Sequence, residues 1–239
     1  MISSLVLNIL NFFDYFHKKK IKNFFKDNNF LNFNLIIDVG AHKGESITFF
    51  LENFNVKKII SFEPSPINFK ILKENVKKFK SKFNDSSIIL ENLGLGSKEN
   101  VLKLKQHFES SSSTIIDIKK DSNYLKKKNK FLNLKTNIHN LIDIKVITLS
   151  SYLEKKDIKD IDLIKIDTEG YEFKVLLGLN DAFRNVKCIM FEHHYDDMLQ
   201  KKYTFSDIHK LLKDKKFKQI FKIKMPFRKT IEYVYINEQ

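Results

Sequence analysis

The chain has 239 residues, 42% of them hydrophobic, with a formal net charge of +14 and a single cysteine. That length fits one α/β domain, and that hydrophobic share supports a packed core, which excludes a disordered tail. One cysteine excludes both an internal disulfide framework and a cysteine-rich zinc site; Cys188, inside the apolar run Val186–Phe191, reads as a small buried side chain.

The charge invites a nucleic-acid reading. However, the chain is rich in Lys, Asn, Ile and Phe and poor in Gly, Pro and Trp, as coding bias alone produces. The lysine runs Lys18–Lys20 and Lys126–Lys128 are not interleaved with aromatics on which bases stack. A solvated basic surface is therefore expected, with an anionic partner (a phosphorylated glycan, a lipid surface or a nucleic acid) as the alternative.

Residues 1–32 read as a helical extension ahead of a domain at 33–239. The apolar stretch Leu5–Phe13 is too short and too interrupted by Asn to span a bilayer. It also lacks the basic start and cleavage site of a secretory leader, so a cytoplasmic location is expected. With Lys18–Lys20 behind it, a helix packed on the domain is expected; a helix lying on a membrane surface is the alternative.

From Leu35 onward short apolar runs alternate with helical periods. Leu35–Val39 is a predicted strand and Glu45–Asn53 a helix, joined by Asp38-Val39-Gly40-Ala41-His42-Lys43-Gly44. A glycine turn there lets the backbone approach a ligand, and the helix N-terminus offers free amides. Its Gly-x-x-x-Gly spacing is not the three-glycine dinucleotide fingerprint, and without Gly-Lys-Ser/Thr it is not a P-loop. An ordinary strand–helix turn is the plain alternative.

Lys58–Phe62 is the second strand, ending at Glu63-Pro64-Ser65-Pro66, where Ser65 caps a helix and Pro66 opens it. Ile67, Ile71, Leu72, Val76 and Phe79 are expected on one side of that helix. Glu63 follows Asp38 by 25 residues, and a strand-end acid there has the reach to accept two ribose hydroxyls. Ser87–Glu91 is a third strand. Between Lys103 and Val146 the pattern dissolves into a Ser-rich, Lys-rich and Asn-rich excursion, read as a hairpin plus a loop over the crevice.

Asp162–Ile166 and Lys187–Phe191 are the fourth and fifth strands, with helical Glu172–Leu177 between them; helix Thr204–Lys213 precedes strands Phe217–Ile223 and Glu232–Ile236. The alternation implies a mostly parallel sheet covered on both faces. Lys165-Ile166-Asp167-Thr168-Glu169-Gly170-Tyr171-Glu172 sets two acids and a glycine at a strand tip, where open α/β sheets bind ligands; solvated strand-end acids are the alternative. Glu192-His193-His194, after the fifth strand, faces the same crevice as a base or metal cluster. Only one of the two histidines is expected to point inward, which is short of a full metal site.

Over Leu35–Tyr195 these motifs resemble the FkbM family of S-adenosylmethionine-dependent methyltransferases. The family's Asp-Val-Gly-Ala-Asn-x-Gly appears as Asp38–Gly44, its Glu-Pro as Glu63-Pro64, and its Lys-x-Asp-x-Glu-Gly-x-Glu as Lys165–Glu172. Asn92 matches the Asn before its adenine-side segment, and Val175–Gly178 and Glu192–His194 match looser marks. His42 stands where the family has Asn, and Ser150 where Thr-Leu-Asp ends in an acid.

The resemblance implies the class I methyltransferase fold, a seven-stranded α/β sheet with its last strand antiparallel. It also implies methyl transfer from S-adenosylmethionine to a hydroxyl of a sugar, surface glycan or other small molecule. It places Asp38, Gly40, Ala41, His42, Gly44, Glu63, Pro64, Asn92 and Asp167 at the cofactor. In-line transfer needs alignment, and a hydroxyl needs a base. Asp167, Glu192 and His194 are the candidates, with Lys165 and Glu169 beside them. His194 is the expected base, Asp167 the positioning acid and Glu192 its support; a divalent ion held by these residues is the alternative. The Asn/Asp-Pro-Pro-Tyr/Phe motif of planar-nitrogen methylation is missing. The unmatched excursion is expected to choose the substrate. A nucleic-acid methyltransferase and a non-catalytic binding protein on the same fold are the rival classes.

Overall fold

The computed structural model describes residues 2–106, 113–119, 121–126 and 140–238, with side chains from residue 12 onward. Seven strands form the central sheet: β1 (Ile36–Val39), β2 (Lys58–Phe62), β3 (Ser87–Glu91), β4 (Ile161–Ile166), β5 (Val186–His194), β6 (Phe217–Lys224) and β7 (Thr230–Asn237). Their spatial order is β3-β2-β1-β4-β5-β7-β6. The strands from β3 to β5 pair in parallel, whereas β7 is antiparallel to both β5 and β6. This is the class I methyltransferase sheet that the motifs imply. The chain leaves β1 toward β2 and β3 and later returns to β4 on the other side of β1, so a crevice opens above the C-terminal ends of β1 and β4.

β1 and β4 are buried along their whole length, which is why both read as mainly apolar runs, interrupted by Asp38 in β1 and by Asp162 and Lys165 in β4. Alternate residues feed two cores. Ile37, Val39, Ile164 and Ile166 face one layer with Phe191 and Ile208. Ile36, Leu163 and Cys188 face the other with Ile47, Phe50 and Leu72.

Helix α1 (Ile2–Asp27) inserts Ile21 and Phe25 into that second core, each side chain contributing roughly 1.5–3 kcal/mol. The C-terminal half of α1 is thus part of the domain's own packing. Among the described residues no helix is long and apolar enough to cross a membrane.

Helix α2 (Glu45–Asn53) follows β1, and α3 (Pro66–Lys80) follows β2. Ser65 caps α3 by accepting the Asn68 N–H, and Pro66 opens it. The buried stripe of α3 is Asn68, Leu72 and Val76. Ile67, expected on that stripe, is 50% exposed, because the cap turns it one position out of phase.

The fifth strand runs three residues past its expected end. Glu192, His193 and His194 pair in register with Glu232, Ile231 and Thr230 of β7, so the polar triplet that reads as a strand end is ladder. The excursion begins as a hairpin: Asn100–Gln106 runs antiparallel to Asn140–Ile147, and Gly94–Leu95 lies parallel beside the latter. Its pairing starts three residues before Lys103 and ends one after Val146. Of the Ser-rich and Lys-rich runs, 109–112 and 127–128 lie outside the described residues. Residues 113–119 return over the sheet end, where Ile118 bridges to Leu199 and the Thr114 hydroxyl donates to the Glu169 carbonyl at 2.7 Å.

Candidate functional site

The turn after β1 is bent by positive φ at Gly40 (85°), His42 (49°) and Gly44 (97°). The Gly40 and Ala41 N–H groups donate to the Phe62 carbonyl at 2.9 and 3.0 Å, closing the turn onto β2. A Cβ at Gly40 would lie 1.9 Å from the Asp167 carbonyl oxygen, so the ends of β1 and β4 meet backbone to backbone. Gly44 serves the packing instead, since it precedes α2 and lies against Leu72, away from the crevice.

Glu63 is 4% exposed, and each carboxylate oxygen accepts one backbone N–H, from His42 and from Ser65, both at 2.9 Å. Lone pairs remain on these oxygens for further donors. Burial pushes its pKa up to about 7, against the pull of Ser65, His42 and Asn68. Asn92, expected at the cofactor, donates from Nδ2 to the Glu63 and Pro64 carbonyls at 2.8 and 3.2 Å and so clamps the backbone behind the acid. Asp38 lies beneath the crevice floor, with the Ser61 hydroxyl 3.3 Å from Oδ2. Burial raises its pKa, and Lys165, opposite it on β4, opposes that.

Lys165 and Asp167 form a pair at 3.1 Å. Burial disfavours the ammonium, but Asp167 and Asp38 outweigh it and hold Lys165 charged; Lys165 in turn outweighs burial at Asp167 and lowers its pKa. The loop beyond has φ of 51° at Glu169 and 98° at Gly170. Glu172 builds it: Oε1 accepts from the Thr168 N–H, the Thr168 hydroxyl and the Gly170 N–H at 3.2, 3.1 and 2.9 Å.

On β5 the period of two sends Glu192 and His194 to one face and His193 to the other, where it packs among Tyr195, Tyr203 and Phe205. Burial and Lys201 push the His193 pKa down to about 3. His194 is the reverse. Nε2 stands 3.3 Å from both Glu169 and Glu192, and Nδ1 3.3 Å from Asp196. These acids overcome burial and raise its pKa to about 10. These acids thus favour the protonated imidazole, a form that cannot take another proton. The acids around it, at 3.3 Å, oppose the assignment of His194 as base. Glu192 moves well up, through burial and its neighbours Asp167 and Glu169.

Ser150, at the place of the family's acid, accepts from Asn180 Nδ2 at 2.8 Å and steadies a turn away from the crevice.

A cavity of about 380 Å³ joins these parts. One wall holds Gly40, Ala41, His42, Glu63 and Pro64, and the floor holds Lys165, Asp167, Glu169 and Glu192. The third wall was not legible in the sequence: Asp14, His17 and Lys18 of α1, facing Met225, Arg228 and Glu232 of the β6–β7 hairpin. His17 and Glu232 are 215 residues apart, and no spacing announces their contact. Ser113, Thr114 and Ile115 of the excursion close the rim.

The volume suits a nucleotide-sized ligand. A turn nearly free of side chains, beside an acid with spare lone pairs, suits an adenosyl cofactor with vicinal hydroxyls. Among the described residues no three His, Cys, Asp or Glu side chains are placed to hold a metal ion.

Residues 38–218 match the methyltransferase FkbM domain family. A curated protein called Methyltransferase 1, from Beauveria bassiana, is 26% identical over 150 residues, covering 61% of this chain and 58% of that protein. The crystal structure of methyltransferase FkbM from Methylobacillus flagellatus aligns with a TM-score of 0.53 at 16% identity, over 84% of this chain and 43% of that one. Magnesium protoporphyrin IX methyltransferase from Synechocystis, with S-adenosylmethionine bound, aligns with a TM-score of 0.54 at 7% identity, over 95% and 81%. At these identities the structural likeness is one of fold. The chain spans less than two thirds of the curated relative and less than half of the first of these structures.

Proposed function

The chain belongs to the FkbM methyltransferase family, with S-adenosylmethionine as its cofactor, and on that premise we propose that it methylates a hydroxyl of a sugar, surface glycan or other small molecule. The observation that carries this reading is the shared cavity: the turn at Gly40–His42 and the buried Glu63 open onto the same space as Asp167, Glu169 and Glu192. Bound there, S-adenosylmethionine supplies an electrophilic sulfonium methyl to a nucleophile approaching in line.

The chain's own residues divide the work. Glu63 uses its spare lone pairs to hold vicinal hydroxyls of the cofactor, and Gly40 and Ala41 keep bulky side chains out of the turn. Pro64 and Asn92 hold the Glu63 backbone in place. Asp167, kept ionised by Lys165, accepts a hydrogen bond from the acceptor hydroxyl. Glu192, whose proton is favoured, donates one to an acceptor oxygen. His194 and Lys165 neutralise the acids from below. Residues 113–115 cover the rim and exclude water.

The test is methyl transfer from tritiated S-adenosylmethionine to cell-surface glycan fractions and to a panel of methyl hexopyranosides. Alkali-stable methyl ethers, identified by mass spectrometry, are expected. Label recovered only in RNA, or no transfer at all, overturns the reading in favour of a nucleic-acid enzyme or a binding protein.

A further inference from the structure

The hydroxyl reading leaves one step without a residue, the removal of the acceptor's proton. Their surroundings favour the protonated forms of Lys165, His194 and Glu192 and the ionised, weakly basic form of Asp167. Two imidazoles line the cavity. His42 lies on the cofactor turn and is bonded to Glu45 at 3.0 Å. His17 is the other.

His17 comes into the cavity on α1 and is 4% exposed. Its Nε2 is 2.6 Å from Glu232 Oε2, a carboxylate that only accepts, so in the neutral ring the proton lies on Nε2 and the lone pair on Nδ1. Nδ1 has no hydrogen-bond partner among the described residues and no exposed surface, so an acceptor reaches it only when the ring turns toward the cavity that it lines. Glu232 stands directly opposite Glu192 in the β5–β7 register, so the His17–Glu232 pair adjoins the floor of acids. The arrangement is an imidazole oriented by a carboxylate, lining the same cavity as the floor acids.

We propose that His17, oriented by Glu232, is the catalytic base that takes the proton of the acceptor hydroxyl. The assignment rests on the hydroxyl-methylation reading. The acceptor O–H bond breaks and its proton bonds to Nδ1. The oxygen's electron pair forms the new C–O bond while the pair of the breaking C–S bond stays on sulfur. The positive charge of the sulfonium thus ends on the imidazolium, where Glu232 stabilises it. Charged groups near the His17–Glu232 pair include Lys165, which acts on Glu232, Glu192 across the register, Asp14 and Lys18 on the same helix as His17, and Arg228, which pairs with Asp14 at 3.3 Å.

The experiment uses the glycan or glycoside that the wild-type protein methylates. His17→Gln keeps an amide N–H for Glu232 but removes the basic nitrogen, so a merely structural role survives it. The expected result is a fall in kcat of ~10²–10⁴-fold, typical of general-base loss, with binding of S-adenosylhomocysteine unchanged. The acidic limb of the wild-type pH profile should vanish in this variant. A ¹⁵N-histidine spectrum of the wild type needs no variant and should show His17 with a protonated Nε2 and a bare Nδ1. Near-normal kcat in His17→Gln, or a proton on Nδ1 in the neutral ring, overturns the assignment and leaves the hydroxyl reading standing. A wild type that forms no methyl ether overturns both.

Discussion

Glu172 and Tyr203 are 31 residues apart in sequence, and the Tyr203 hydroxyl donates to Glu172 Oε2 at 2.6 Å. The other oxygen of Glu172 gathers Thr168 and Gly170, and the residue has no exposed surface. The last acid of the Lys165–Glu172 motif is therefore the keystone of the crevice loop. By holding Thr168 and Gly170 it fixes Glu169 between them at φ 51°, aimed at His194.

Removing the hydroxyl tests that role. Tyr203→Phe should destabilise the fold by about 1.5–3 kcal/mol, the range for a bond to a charged partner, with little change in cofactor affinity. Urea unfolding checks the first and calorimetry the second. Unaltered stability would mean that the loop is held by its backbone bonds alone.

Gly40→Ala should be among the most damaging single substitutions in the chain. The methyl would meet the Asp167 carbonyl oxygen at 1.9 Å, and φ is +85°. Neither backbone can give way without parting β1 from β4, so a loss of at least several kcal/mol is expected from strain and lost pairing together. A melting temperature close to that of the wild type would refute the close approach.

Glu63 gives a pH dependence whose sign is fixed by burial. Its pKa is raised from 4.5 to about 7, so its contribution to the stability of the cofactor-free protein is fully present below 4.5 and is lost as pH rises through about 7. Hydroxyl donors favour the ionised carboxylate, so cofactor binding should release a proton and tighten as pH rises through that same window. Titration calorimetry in buffers of different ionisation enthalpy reads the proton directly. Glu63→Gln should lose the pH dependence and weaken binding by ~1.5–3 kcal/mol; a variant with unchanged affinity would move the hydroxyl contact elsewhere.

His194 works in the opposite sense. As a base raised from 6.5 to about 10, it contributes stability that is fully present below 6.5 and lost as pH rises through about 10. His194→Gln removes the cation between Glu169 and Asp196, leaves Lys201 beside Asp196, and should cost about 3–5 kcal/mol at neutral pH. The gap to wild type should narrow as pH approaches about 10. A gap that stays constant with pH would show that His194 is neutral in the folded protein.

The sheet and the glycine turn that lines the cavity were legible in the order of residues alone. Strands β1 and β4 are buried on both faces and read as mainly apolar runs; Ser65 and Pro66 mark the start of α3 through local capping chemistry; and Gly40 and Gly44 mark the turn because positive φ is cheap only without a Cβ. All these signals act over a few neighbouring residues, so one stretch of chain suffices to display them. The acceptor half was settled by folding. Whether His194 is a base or a cation depends on Glu169, Glu192 and Asp196 converging on one ring, and Glu192–His194 became strand because β7, some forty residues later, supplied its partner. His17 entered the site only because Ile21 and Phe25 bury one face of α1 in the core, which carries the preceding turn over Glu232. Charge state and proximity are set by what folding brings near and by what it removes from water, and neither leaves a pattern in the local order of residues.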